Sequence, residues 1–138
     1  MWSRRTPRVT DEPAVRLTAL GLAAGRLVIG AGLWLAPRRS LAALGFAEID
    51  STAVALARIA ATRDLVLGAW QLRSLGDPRE LRRASAAVAV ADAGDALTFG
   101  IALRAGAANR TAGLRGLAGA VPAAIAGAWL ESRLRPHS

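Results

Sequence analysis

The sequence has no cysteine, no tyrosine and no lysine, and its one histidine is the penultimate residue, His137. Without cysteine there are no disulfides, thiolate nucleophiles or Cys-based metal sites, and a lone histidine excludes both a His-based metal centre and a Ser-His-Asp arrangement. Aromatic residues make up only 4% of the chain. Apolar residues make up 53% of 138 residues and the mean hydropathy is +0.32. That argues for one ordered domain with no room for a second module.

The formal net charge is +8, and all eighteen basic residues are arginine. A basic face that neutralises phosphates would account for such a balance, but no nucleic-acid-binding motif or aromatic stacking platform accompanies it, so nucleic acid is not expected as a partner.

Four long apolar segments organise the chain, at 17–36, 52–75, 84–103 and 114–130. Twenty residues at about 1.5 Å each cross a hydrocarbon core. The first segment is interrupted only by Thr18 and Arg26, and the last has fifteen residues from Gly116 without a polar side chain, short enough to require tilt or local thinning. Thr10-Asp11-Glu12 opens the first segment and Pro37 closes it, Asp50-Ser51-Thr52 opens the second, Asp77-Pro78-Arg79-Glu80 the third, and Asn109-Arg110-Thr111 caps the fourth. Between the first two, Ser40 to Phe46 reads as an interfacial turn or two ended by Gly45, with Leu41, Leu44 and Phe46 available to lie on lipid, or as an ordinary loop.

A soluble four-helix bundle is the competing architecture. A soluble helix keeps a polar stripe over about half its circumference, and neither the first nor the last segment has the residues for one. We therefore expect an all-α integral membrane four-helix bundle that is multi-pass in the bacterial inner (cytoplasmic) membrane, with the lipid bilayer as its first partner. Arg4, Arg5, Arg8, Arg16, Arg73, Arg79, Arg82, Arg83, Arg133 and Arg135 fall on one side of the spans. Arg38, Arg39, Arg104, Arg110 and Arg115 fall on the other, which puts both termini in the cytoplasm. Trp34, Trp70 and Trp129 lie near span ends, where indoles favour the headgroup level, and Trp2 lies outside. Ser3-Arg4-Arg5 before an apolar run is similar to a twin-arginine leader, but the run is too long, contains Arg26 and ends in Pro37-Arg38-Arg39, so a retained span is expected.

The remaining charges fall at mid-span: Arg26 in the first segment, Arg58, Arg63 and Asp64 in the second, Asp92 and Asp95 in the third. Six such residues facing lipid would cost roughly 15–20 kcal/mol, so they must face inward and pair. Depth along antiparallel neighbours matches Arg63 with Asp92 and Arg58 with Asp95, leaving Arg26 for Asp64 or either acid of the third segment. Asp64 shares its face with Gly68 and Gln71. One reading of the cluster is ionic glue that fixes helix register. The other is a polar site, with Arg26, Arg58, Arg63 and Gln71 binding or orienting a ligand and Asp92, Asp95 and Asp64 as candidate acids or bases. A carboxylate metal site from Asp64, Asp92 and Asp95 is disfavoured by the adjacent arginines, so neither a metal nor a cofactor is expected. In the fourth segment Gly113, Gly116, Gly119, Ala120, Ala124 and Gly127 imply close helix approach, within the chain or in a homodimer, and Pro122 is a candidate kink.

Arg58-Ile-Ala-Ala-Thr-Arg-Asp-Leu-Val-Leu-Gly68 and Ala91-Asp-Ala-Gly-Asp-Ala-Leu97, with Arg26-Leu-Val-Ile-Gly30 and Trp34-Leu-Ala-Pro37, resemble a family of small actinobacterial-type four-span membrane proteins of unknown function. The resemblance runs from the first to the third segment and departs at Ala61-Thr62, where the pattern carries alanine after glycine. It implies a fold and a membrane address and supplies no activity. The functions open to such a chain are binding a small amphiphile or stabilising a membrane assembly, acid/base catalysis on a lipid-soluble prenyl-type substrate, or proton- or anion-linked transport as a dimer.

Overall fold

The computed structural model describes residue 10, residues 12–106 and residues 109–136. Expectations placed on Trp2, Arg4, Arg5, Arg8, Asp11 and His137 lie outside the described residues. Five helices and no strands make up the described chain: α1 (Pro13–Leu35), α2 (Pro37–Leu44), α3 (Ser51–Arg73), α4 (Pro78–Arg104) and α5 (Arg110–Arg133). Of these, α1, α4 and α5 are long and apolar enough to cross a membrane. Helix α3 matches α1 in length at 23 residues but carries Arg58, Arg63 and Asp64.

Local chemistry sets the helix starts. Proline stands at the first helical position of α1, α2 and α4, where a missing N–H costs no hydrogen bond. The Asp50 carboxylate accepts from the Ala53 amide at 2.7 Å, and Asp77 from the amides of Arg79 and Glu80 at 2.9 and 3.2 Å. Asn109 accepts from the Thr111 amide at 2.9 Å. Each cap satisfies a first-turn donor that the helix itself leaves orphaned. At the first helix the expected acidic cap is absent, because Glu12 occupies the capping position and its side chain makes no capping bond. It reaches instead to Arg133 at the end of α5, 2.8 Å away.

The helices pack as two antiparallel pairs. Along α1 and α3, an added Cβ at Gly30 would meet Ala61 and Leu65, and one at Gly68 would meet Ala23, Arg26 and Leu27. Along α4 and α5 the facing partners are Leu103 with Gly113, Phe99 with Gly116 and Ala89 with Gly127. The small residues of the last segment are therefore used inside the chain at 113, 116 and 127, whereas nothing lies within 4 Å of a Cβ at Gly119. Pro122 sits within α5, which runs unbroken from Arg110 to Arg133. Between the two pairs contact is sparser, which leaves room for a cleft.

One apolar cluster closes the end near the α3–α4 turn, with Val15, Ala19, Leu81, Leu130 and Leu134 buried and Leu22 and Leu75 packed on it. A second lies under α2, with Leu33, Leu41, Ala57 and Ala61 buried beneath Phe46, Ile49 and Ala53. This corrects one expectation. The turn after the first segment is a two-turn helix, and Leu41 and Phe46 face the core rather than lipid, because α2 folds back over the α1–α3 pair. Gly45 ends that helix with φ +97, and a side chain there would also strike Thr111 of α5. Arg115 of α5 donates to the Ala43 carbonyl at 2.6 Å, tying α5 to the end of α2.

Large apolar side chains dominate the outward faces, with Arg58 of α3 and Thr98 of α4 among the polar exceptions. Leu17 and Val28 of α1, Leu56, Ile59 and Val66 of α3, Val90, Leu97 and Ile101 of α4 and Ile125 of α5 are all exposed. A contiguous surface of this kind marks an apolar environment or a partner.

Candidate functional site

Helix α3 buries one stripe, Ala57, Ala61, Asp64, Gly68 and Gln71, at alternating steps of four and three. Asp64 therefore points at α1, where Gly68 lets the backbones approach and Arg26 is the facing side chain. On α4 the buried stripe ends at Asp92. Arg26 lies between the two acids, donating from Nη1 to Asp64 Oδ1 at 2.8 Å and pairing through Nη2 with Asp92 Oδ2. All three side chains are nearly buried, at 8%, 13% and 9% exposure.

Arg63 continues the pattern. Its Nη1 and Nη2 donate to the two oxygens of Asp95 at 2.8 and 2.6 Å, a two-point contact that fixes both planar groups. Nη2 also reaches Asp64 Oδ1 at 3.3 Å. The five residues thus form one continuous file of alternating sign, Asp92, Arg26, Asp64, Arg63 and Asp95, drawn from α1, α3 and α4. It runs from a buried end at Asp92 to a part-exposed end at Asp95, 33% exposed. Two guanidiniums against three carboxylates leave the file formally at −1.

The pairing differs from that expected from depth alone. Arg63 meets Asp95 rather than Asp92, because Arg26 already occupies the space between Asp64 and Asp92. Arg58 joins no acid of the file. It follows the buried Ala57 by one residue, hence about 100° off the inward stripe, and its guanidinium stands 5.5 Å from the centre of the Trp34 ring. Gln71 is on the inward stripe as expected but is fully buried one heptad beyond Asp64, outside the cleft.

The file forms the polar side of a cavity of about 310 Å³ in the cleft between the helix pairs. Gly21, Gly25 and Ile29 of α1 form one wall, Gly116, Gly119 and Ala123 of α5 another, and Phe99 of α4 a third. A Cβ added at Gly21, Gly25 or Gly119 would touch nothing within 4 Å, so these glycines hold the cleft open instead of serving close packing. Arg115, beside the cavity near α2, and the Gly21/Gly25 pair went unrecognised in the sequence. The spacing of four between those glycines was the available signal. Among the described residues no three His, Cys, Asp or Glu side chains gather closely enough to hold a metal ion.

Comparison with known proteins returns no match to a family model, a curated protein or a solved structure. The site's chemistry therefore rests on its own geometry.

Proposed function

We propose that the chain is a four-span inner-membrane protein whose central cavity binds a small amphiphile, with apolar walls around its tail and the Arg/Asp file against its polar end. The observation that carries the reading is the combination of an apolar cleft of about 310 Å³ with a file of five charges of alternating sign along one side. Pockets with mostly apolar linings and a few fixed polar groups are the usual form of small-molecule sites.

The fourth span is α3. Its outward residues Leu56, Ile59 and Val66 are exposed and apolar, whereas Asp64 is buried and Arg63 partly so. A helix with charges inside and leucine, isoleucine and valine outside suits a lipid surround, and the arginine asymmetry of the sequence supports cytoplasmic termini. The family resemblance of its Arg-Asp segment points the same way.

The polar end of the ligand is neutral, because Arg115 beside the file brings the cavity lining to three guanidiniums and three carboxylates, which leaves no excess charge of either sign for an ionic ligand to meet. Binding is favoured over acid/base catalysis because Asp64, Asp92 and Asp95 are each engaged by an arginine of the file, which leaves none of the three carboxylates free to approach a reacting atom.

The test is photolabelling of detergent-purified protein with a diazirine-bearing farnesol analogue, a hydroxyl-headed amphiphile. Label should map to the Gly21–Ile29 and Gly116–Ala123 peptides and disappear in Gly119→Leu. Label spread evenly over the outward faces, unchanged by that substitution, would refute the proposal.

A further inference from the structure

A second cavity, open and of about 470 Å³, lies at the α2 end of the molecule on a different face from the Arg/Asp file. Arg38, Arg39 and Arg58 line it, and none of its lining residues is acidic. Arg38 donates to the Ile49 carbonyl at 2.7 Å, which orients it without neutralising its charge. Among the described residues, no carboxylate pairs with any of the three. The first turn of the eight-residue α2 faces the same space, and its N-cap, Ala36, offers no side-chain acceptor. Three guanidiniums therefore converge where the described residues supply no carboxylate.

Arg58 says where that anion comes from. It stands among the outward residues of α3, between Leu56 at 61% and Ile59 at 67% exposure. In a bilayer such a residue lays its stem along the helix and carries its charge to headgroup level. Trp34 holds the guanidinium on that course, its indole N–H fixed by donation to Thr62 Oγ1 at 3.0 Å. Leu35, at 83% exposure, and Val54 give the cavity an apolar lip on the same side.

We propose that this cavity binds the phosphate of an anionic phospholipid, with Arg38, Arg39 and Arg58 around the phosphodiester and Leu35 and Val54 against the glycerol and upper acyl chain. The inference rests on the membrane reading above but not on the central cavity or its ligand. The lipid then acts as the counter-ion that Arg58 lacks among the described residues.

The experiment is native mass spectrometry of the detergent-solubilised chain titrated with phosphatidylglycerol or phosphatidylcholine, with and without millimolar inorganic phosphate. The expected result is selective retention of one phosphatidylglycerol. In Arg39→Gln/Arg58→Gln that selectivity should fall roughly twenty-five-fold, about fivefold for each charge removed. Arg79→Gln/Arg104→Gln, which lowers the charge equally at other places, should keep it. Equal retention of the two lipids, or equal loss in both double variants, overturns the proposal. Displacement of the lipid by millimolar phosphate overturns it as well, by making the free anion the ligand. A chain recovered monodisperse from cytosol without detergent would instead remove the membrane reading, an outcome separable from weak lipid selectivity in a protein that needs detergent. Circular dichroism of the variants separates lost binding from lost fold.

Discussion

Gly68 of α3 lies directly against the backbone of Ala23 in α1, so that a Cβ at position 68 would stand 3.0 Å from the Ala23 carbonyl oxygen. The contact sets how near α3 comes to α1, and hence whether Arg26 can reach Asp64. Gly68→Ala must move one backbone, and overpacking of this kind costs about 1–3 kcal/mol. Gly94→Ala is the matched control, since it meets nothing within 4 Å and should be neutral or slightly stabilising. Denaturant titration in detergent should separate the two variants clearly; equal stabilities would show that the α1–α3 approach is not limiting.

Helix positions, the caps of α3, α4 and α5 and the inward placement of Arg26, Asp64 and Asp92 were legible in the sequence because each has a local cause, whereas the expected cap of α1 is absent. Asp50, Asp77 and Asn109 cap where their spacing says they should, and Asp64 and Asp92 are buried as expected for charges on otherwise apolar helices. Pairing was not legible, because it depends on which side chain enters between two helices. Depth matched Arg63 to Asp92, yet Arg26 comes in from a third helix and takes that acid. Arg58 was misplaced for a different reason. It was counted by depth, whereas rotation about the helix axis sends it outward to Trp34. The cavity was invisible for the same reason, since Gly25 and Gly30 look alike in sequence while only Gly30 has a neighbour to touch.

Arg26 holds two carboxylates that are otherwise nearly buried, so its removal strands both. Arg26→Met should destabilise by about 3–5 kcal/mol, the usual cost of leaving a buried charge without its partner. Adding Asp64→Asn and Asp92→Asn to that variant removes the stranded charges and should restore much of the loss. Thermal unfolding in detergent measures both. A triple variant no more stable than Arg26→Met alone would show that the file is not held together by charge compensation.

Arg63 and Asp95 form the part-exposed end of the file, where solvent screening weakens the pair. Arg63→Asp and Asp95→Arg should each lower stability and expression, and the double exchange should recover a coupling on the order of 1 kcal/mol. The same exchange between Arg63 and Asp92 should recover nothing, because Asp92 answers to Arg26. A double-mutant cycle with coupling at 63/92 and none at 63/95 would reverse the observed order of the file.

Gly116 and Gly119 are one turn apart on α5, and their surroundings call for opposite outcomes. A Cβ at Gly116 would fall 2.5 Å from the Phe99 ring, which must swing away to admit it, whereas one at Gly119 enters open space in the cleft. Gly116→Leu should therefore destabilise the α4–α5 pair by about 1–3 kcal/mol through forced repacking. Gly119→Leu should leave unfolding unchanged or raise its midpoint, since leucine also has the better helix propensity, by roughly 0.8–1 kcal/mol. The farnesol analogue distinguishes them further: Gly119→Leu should fold normally and bind nothing, a combination that a purely structural file would not produce. If Gly119→Leu labels as well as the parent chain while its stability is retained, the cleft between α1 and α5 is not where the amphiphile sits.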